Sequence, residues 1–368
     1  MIKPLCTLLF AIPHAVTAAI SVAETPAQQT YLCPNGEVIG TSLKGSRERR
    51  RVTASISVSE RQVGFGDLPG WREAASPESL LEVIRSNCEA HDLPDGWEGV
   101  CDQAPRLEAD NIHRYIEDTF TPFRLVADAE EKGLFTAYYA SYVNVRQTRN
   151  AEYKYPIYRV SDRARSLSRR DIENGALEDD DVLFWSDSAF DVDVLHIQGS
   201  GVGRLPDGVK VNISYAGKNR ENYVSLGKVL RECGDLAPDN ISLPSIRTWV
   251  SQATPDEYQR LINNNQSYVF FSASEYTGES PKGALAVPLT PMRSLAVDTR
   301  YIALGTMMYV AVPQPLGPAI ERVFIAQDKG GAISGGIRAD IFAGEGEAAE
   351  LFAGRMAHRG RAWVLKPK

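Results

Sequence analysis

The 368-residue sequence is poor in the features that mark metal and nucleic-acid sites. It has five cysteines and five histidines, without a CxxC pair or a His/Cys spacing that suits a metal ion. The one dense basic run, Arg47–Arg51, is short, and the formal net charge of −7 disfavours binding to a polyphosphate backbone. We therefore expect neither a bound metal nor a nucleic-acid partner. Neutral sugars are not excluded by this charge balance.

The sequence also lacks a nucleotide-binding fingerprint, although one stretch superficially contains it. Residues 195–208 include G-x-G-x-G, but a polar turn and a strand pattern follow the glycines where a dinucleotide site needs a helix. We therefore expect no cofactor. The stretch suits hydrogen bonding to a polar ligand such as a sugar, and a plain hairpin loop is the alternative. The candidate sugar-binding residues are Gln198, Gly199, Ser200, Gly201 and, on the next strand, Tyr215.

Residues 1–23 predict a secretory signal peptide. Lys3 precedes an apolar run over residues 5–20, and residues 21–23 (Ser-Val-Ala) supply small side chains at the usual cleavage spacing. A retained membrane anchor is the alternative, which Pro4 before the run and Pro13 and His14 within it disfavour. Cys6 lacks the small-residue box that precedes a lipidated cysteine. We therefore expect an exported, periplasmic protein, with an association with the outer membrane left open.

Four cysteines remain after the signal, an even number that suits an oxidising compartment. Cys88 and Cys101 close a short segment and are the favoured disulfide, with buried free thiols as the alternative. Whether Cys33 pairs with Cys233 is left open by the sequence.

The pattern along the chain predicts a mainly β protein with some helices. Apolar spacing predicts helices from Pro77, over Ile112–Phe120 and Tyr223–Cys233, after a capping box at Thr254, and over Glu347–Met356. Alternating or β-branched runs predict strands over 135–159, 194–197, 210–215, 268–272, 284–289, 306–312, 322–327 and 361–365. We expect a signal peptide (1–23), a loosely structured leader (24–60), one β domain from 61–144 plus 276–368, and an inserted domain (145–275).

Two carboxylates, Asp328 and Asp340, bracket a glycine-rich stretch that includes Gly330 and Gly331. If Asp340 lies in a partly apolar groove, burial and the neighbouring Asp328 both raise its pKa. A carboxylic acid that is protonated near neutral pH is what cleavage of a glycosidic bond needs. A solvated turn capped by the two aspartates is the alternative.

Tyrosines form a further candidate sugar contact. Tyr138 and Tyr139 could stack against sugar rings, but at the alternating spacing of a strand at least one of the two is expected in the core.

Several long blocks resemble the membrane-bound lytic murein transglycosylase A family. They are AYYASYVNVRQTRNAEYKYPIYR, DVDVLHIQGSGVGRLPDGVKVNISYAGKN, GALAVPLTPMRSLAVDTRYIALGT and QDKGGAISGGIRADIFAGEGEAAELFAGRM, followed by RAWVLKPK. The resemblance covers roughly residues 60–368. Departures are AYYAS in place of a GYYEP-like block, Ser334 where lysine is common, Ala339 where glycine is common, and no lipoprotein cysteine.

The resemblance implies a double-psi β-barrel domain with an inserted second β-rich domain and a glycan groove between them. It implies Asp340 as the single acid/base, Asp328 as a supporting residue, and a groove lined by Tyr138, Tyr139 and residues 197–201. The implied reaction is non-hydrolytic cleavage of peptidoglycan, and the implied partners are glycan strands and other cell-wall enzymes, with a monomer as the default. A non-catalytic glycan-binding barrel of expansin or barwin type is the alternative, and hydrolysis by both aspartates is a third.

Overall fold

Strands are the main elements of the protein, and the prediction of a mainly β fold with some helices is confirmed. The computed structural model describes residues 29–41, 57–71, 77–315 and 317–368. The predicted signal peptide and the basic run 47–51 lie outside these residues. The strands are β1 Gln29–Leu32, β2 Val38–Thr41, β3 Val58–Gln62, β4 Phe120–Ala127, β5 Gly133–Arg146, β6 Tyr155–Tyr158, β7 Val182–Ser186, β8 Gly201–Arg204, β9 Lys210–Lys218, β10 Val269–Glu275, β11 Ser294–Val297, β12 Met307–Val312, β13 Ile320–Lys329, β14 Arg338–Glu345 and β15 Ala357–Pro367.

The helices begin and end where the sequence provides caps. Thr254 and Glu257 form the predicted capping box of α9, and Gly234 follows α7 with a φ of +81° that favours glycine. The helices are α1 Pro77–Asn87, α2 Trp97–Gln103, α3 Ile112–Thr119, α4 Asp162–Arg165, α5 Arg169–Asp171, α6 Ala189–Gln198, α7 Leu226–Glu232, α8 Leu243–Gln252, α9 Pro255–Ile262 and α10 Gly346–Ala353. Among the described residues, none of the helices combines the length and apolar character needed to cross a bilayer.

Six strands form a closed ring of hydrogen-bonded neighbours, in the order β5, β14, β11, β13, β12 and β15, with β15 pairing again with β5. The pairs β5–β14 and β11–β13 are parallel and the others are antiparallel. Alternate side chains of these strands form one apolar cluster, which includes Phe135, Leu295, Val310, Phe324 and Ile341. The side chains between them face the other side of the strands, and Asp340 is one of these.

Strand β5 also belongs to a second sheet. β5 runs on beyond the ring to pair with β8, and β9 and β10 follow in antiparallel order. Val143, Ile213 and Phe271 form its core with Leu195 of α6. One 14-residue strand therefore belongs to both sheets.

Two disulfides attach outlying segments. Cys88 and Cys101 are joined, with their Cα atoms 5.3 Å apart, between α1 and α2. Within the leader, β1 and β2 form a hairpin, and Cys33 is bonded to Cys233 at the end of α7 with a Cα–Cα distance of 5.6 Å. Tyr31 of this hairpin is buried among side chains of α7 and α9.

Three local predictions are wrong. Residues 194–197 belong to α6 and not to a strand, because both sides of this helix are buried and the usual amphipathic pattern is missing. Residues 284–289 turn back on themselves, with Ala286 at a φ of +65°, and form no strand. In the helix predicted over Glu347–Met356 the apolar spacing places Ala348 and Leu351 inward, but in α10 both are exposed and Ala349 is buried instead. Helix α8 was not predicted.

Candidate active site

Two aspartates are placed in one row across four neighbouring strands. Ala296 of β11 is paired with Asp328 on one side and with Asp340 on the other, and Asp340 is paired with Thr136 of β5. Because neighbouring strands lie about 4.8 Å apart, the Cα atoms of Asp328 and Asp340 are about 10 Å apart. The glycine-rich stretch between them forms the turn that connects the two strands, so Asp340 lies on a strand and not in a loop.

Thr136 fixes the carboxyl group of Asp340. Its hydroxyl donates a hydrogen bond of 2.5 Å to Oδ1 of Asp340 and accepts one of 2.8 Å from Nη2 of Arg338. The other terminal nitrogen of Arg338 donates to the backbone oxygens of Leu134 and Ala339. Three acceptors thereby hold Arg338 beside the carboxyl group, and the Thr136 hydroxyl bridges the guanidinium of Arg338 and the carboxyl group of Asp340.

Burial raises the pKa of Asp340 above its ordinary value. The negative charge of Asp328 raises this pKa further, whereas the hydrogen bond from Thr136 and the charge of Arg338 lower it, with a net upward shift. The residue is still partly exposed to solvent. Asp340 thus combines a carboxyl group that keeps its proton to higher pH than an ordinary aspartate with access from solvent.

Asp328 is held by three donors. Its Oδ1 accepts hydrogen bonds of 2.9 Å from the backbone nitrogens of Ala284 and Lys329, and its Oδ2 accepts one of 2.8 Å from the hydroxyl of Tyr138. Burial raises the pKa of Asp328, and these hydrogen bonds oppose the rise. Tyr138 packs on Phe342 with ring centroids 5.3 Å apart. A carboxylate with so many fixed donors is suited to orient neighbours and to supply charge.

The two adjacent tyrosines point to opposite sides of β5, as a strand requires. Tyr138 joins the aspartates, whereas Tyr139 is 2 % exposed and packs with Phe190, Val194 and Ala349. The expectation that one of the two tyrosines is a core residue is confirmed. The expectation that Tyr139 lines a groove is wrong, because Tyr139 lies in the core.

The block at the end of α6 is tied to β5. Gln198 is the last residue of the helix, and its Oε1 accepts a hydrogen bond of 3.0 Å from the backbone nitrogen of Tyr139. Gly199 ends the helix at a φ of +79°, and Gly201 pairs with Ser141 so closely that a Cβ atom there would lie 2.6 Å from the Ser141 oxygen. Ser200 between them is partly exposed.

The remaining candidates lie around this centre with varied exposure. Gly330 and Gly331 form the turn after β13, and Gly331 is exposed. Tyr215 of β9 is 53 % exposed, on the second sheet. Among the hydrogen bonds of the described residues, none joins Gly330, Gly331 or Tyr215 to either aspartate.

Thr136 and Arg338 were missed from the sequence. Each lies two residues before a residue that was identified, Tyr138 and Asp340, and therefore on the same side of its strand. Recognising Arg338–Phe342 as an alternating strand segment would have found both the strand and the arginine.

The sequence matches two family profiles. One is described as the MltA specific insert domain, over residues 161–272, and the other as the 3D domain, over residues 293–366. The first falls on the lobe built from the second sheet and its helices, and the second falls on the strands that carry Asp328 and Asp340.

Relatives share both parts. The chain is 40% identical to the membrane-bound lytic murein transglycosylase A of Escherichia coli K12 over 240 residues, which span 63% of this chain and 65% of that protein. LtgG, a lytic transglycosylase of Burkholderia pseudomallei with a solved structure, is 34% identical to this chain with a TM-score of 0.61, and the match covers 85% of this chain and 97% of that one. The crystal structure of E. coli MltA with bound chitohexaose is 30% identical, with a TM-score of 0.71, over 89% and 97% of the two chains.

The described strands and the two profile matches therefore define a protein with an MltA specific insert domain and a 3D domain. The chain belongs to the membrane-bound lytic murein transglycosylase A family.

Proposed function

We propose that the protein is a peptidoglycan lytic transglycosylase. It cleaves the β-1,4 bond between N-acetylmuramic acid and N-acetylglucosamine without water and releases 1,6-anhydromuropeptides for remodelling and recycling of the cell wall. Family membership supports the reaction class, and the bound chitohexaose in the E. coli relative supports a glycan ligand. The observation that carries the proposal is Asp340, a partly exposed carboxyl group whose pKa is raised by burial.

The first step asks Asp340 to act as an acid. Its proton passes to the oxygen that links the two sugars while the bond from that oxygen to C1 of the muramic acid breaks. Because burial and Asp328 raise the pKa of Asp340, a larger share of the enzyme holds this proton near neutral pH. Positive charge then develops on the sugar ring beside the newly formed carboxylate, which stabilises it.

The second step uses the same group as a base. The Asp340 carboxylate takes the proton of the C6 hydroxyl of the muramic acid, and O6 forms a bond to C1 of its own ring. The enzyme returns to its protonated state, and no water enters the balance. Since the nucleophile is tethered to the reacting ring, no second molecule has to be positioned.

Asp328 supports this centre without receiving the proton. Its two oxygens are already held by Tyr138 and by two backbone nitrogens, so we assign it to charge stabilisation and orientation. Glycan contacts are proposed for Tyr138, Gly330, Gly331, Tyr215 and residues 198–201.

We further propose that the ring of six strands is a double-psi β-barrel and that the protein works in the periplasm. The ring contains both parallel and antiparallel pairs, which supports the barrel, and the two disulfides suit an oxidising compartment. We expect a monomer that acts on glycan strands and meets other cell-wall enzymes there.

Digestion of purified sacculi tests the reaction, with the products weighed by mass spectrometry. Anhydromuropeptides support the proposal, whereas reducing ends indicate hydrolysis and intact strands with retained binding indicate a non-catalytic module. Asp340→Asn should abolish release while binding to sacculi continues. Asp239→Asn, at an exposed aspartate of the inserted lobe, is the matched control and should release products like the unmodified protein. Unchanged release by Asp340→Asn overturns the assignment.

A further inference from the structure

Two cationic side chains lie over one tyrosine ring on the second sheet. The guanidinium carbon of Arg204 is 3.7 Å from the centroid of Tyr142, and Nζ of Lys210 is 5.2 Å from the same centroid. Nζ of Lys210 is also 4.8 Å from the centroid of Tyr276. Because the face of an aromatic ring attracts cations, the two rings hold both charges in place. We name these two side chains the Arg204–Lys210 pair.

The strand register places these like charges against each other. Arg204 is the residue directly opposite Lys210 at the end of the β8–β9 hairpin. Like charges directly opposite each other destabilise an antiparallel pair. Among the ion pairs of the described residues, none includes either side chain. An arrangement that costs stability and leaves both cations without a carboxylate is typical of a functional site.

The acidic groups nearby are mostly engaged elsewhere. Oε1 of Glu345 accepts hydrogen bonds of 3.0 Å from the hydroxyl of Tyr142 and 2.8 Å from that of Tyr276, so it anchors the edges of the rings. Arg204 lines a cleft of about 410 Å³ that is also lined by Asp191 and Glu350, both bound to Arg247. Glu347 is exposed at the start of α10 and lines the same cleft, and Asp207 accepts a hydrogen bond from the backbone of its own turn.

The strand β5 connects the Arg204–Lys210 pair with the aspartates, because Tyr142 under the pair lies on it. Thr136, which contacts Asp340, and Tyr142 are six residues apart on β5, about 20 Å at about 3.3 Å per residue. Glu345, which anchors the rings, follows Asp340 along β14. A polymer bound at Asp340 and running along β5 therefore passes the pair a few sugar units away.

We propose that the Arg204–Lys210 pair binds the carboxylates of the peptides that hang from the glycan strand. This inference rests on the proposed function, because it takes peptidoglycan as the substrate. The sugar backbone offers hydroxyl and amide groups, whereas the peptides carry free carboxylates. A stacked guanidinium presents its N–H fork for a two-pronged bond to a carboxylate. The net charge of −7 repels an anionic polymer, so a local cationic pair also selects where the peptides lie.

Binding measured in the Asp340→Asn background separates this subsite from catalysis. Soluble peptide-bearing strands are compared with the same strands after their peptide carboxylates have been converted to neutral amides. We expect the protein to bind the native strands about tenfold more tightly, and Arg204→Gln with Lys210→Gln to bring the ratio of dissociation constants close to one. Arg220→Gln, at an exposed arginine just after β9, is the matched control and should keep the tenfold ratio.

The outcomes distinguish this inference from the proposed reaction. Equal affinity for the two kinds of strand, or a ratio that the double substitution leaves in place, overturns the subsite even where the active enzyme makes anhydromuropeptides. Failure to make anhydromuropeptides overturns the reaction, and the binding ratio still reports on the carboxylate subsite.

Discussion

The hydroxyl of Thr136 offers the sharpest test of how Asp340 is tuned. Thr136→Val keeps the shape of the side chain and removes the 2.5 Å hydrogen bond to the Asp340 carboxylate. That bond stabilises the charged form of the carboxyl group, since it lowers the pKa that burial raises. Without it the charged form loses support, and the pKa of Asp340 should rise further.

The size of the effect follows from the type of bond. A hydrogen bond to a charged group contributes about 1.5–3 kcal/mol, and a partly exposed site takes the lower end of that range. At about 1.4 kcal/mol for each pH unit, the fall of kcat/KM on the alkaline side should move upward by about one unit. The direction follows because Asp340 must hold a proton when it meets the substrate, and a higher pKa keeps that proton to higher pH.

The assay is release of anhydromuropeptides from sacculi over a range of pH, with kcat/KM as the reported quantity. Thr136→Ser retains a hydroxyl and is the matched control, so its profile should stay close to that of the unmodified protein. An alkaline limb that does not move in Thr136→Val, or that moves equally in Thr136→Ser, would refute the reasoning.

Three further predictions concern stability. The pKa of Asp340 is raised in the folded state, so its contribution to stability is full at pH values below its unfolded pKa and falls as the pH rises toward its folded pKa. Asp340→Asn should therefore raise the melting temperature by about 2 °C at pH 7 and by less at pH 4. A melting temperature that falls at pH 7 contradicts this. Gly133→Ala places a Cβ atom 1.5 Å from the Ile337 oxygen, so urea unfolding should show a loss of more than about 3 kcal/mol, and a loss under about 1 kcal/mol is inconsistent with the packing. Replacing Cys33 and Cys233 by alanine opens a loop of 200 residues, so the free energy of unfolding should fall by about 5 kcal/mol in thermal unfolding, and an unchanged transition is the contrary result.

Much of the fold could be predicted where a local signal decides it. The capping box at Thr254 and Glu257 fixes the start of α9 from four neighbouring residues, and the apolar run of β12 is buried nearly throughout. Residues 194–197 were misleading because they lie directly before a glycine-rich turn and look like a strand, although they end helix α6, which is buried on most sides and needs no polar face. Local pattern and burial disagree at that helix, and tertiary packing decides.

The two aspartates of the candidate site could be predicted from the sequence, whereas the residues that contact Asp340 could not. Asp340 stands out through its setting between apolar residues, but its strand is decided by hydrogen bonding to β5 and β11, which are distant in sequence. Thr136 and Arg338 can be recognised as partners of Asp340 only once the pairing of β5 with β14 is known. The roles assigned to the site residues stay predictions until the substitutions are made.

The continuity of β5 constrains how the protein can move. Strand β5 is hydrogen-bonded to β14 and β15 in the ring and to β8 in the second sheet, so it connects the two lobes directly. β5 passes from one sheet to the other between Ala140, which pairs with Glu345 of β14, and Ser141, which pairs with Gly201 of β8. A change in the angle between the two lobes therefore has to be taken up by bending or twisting of this one strand, at residues 140–141.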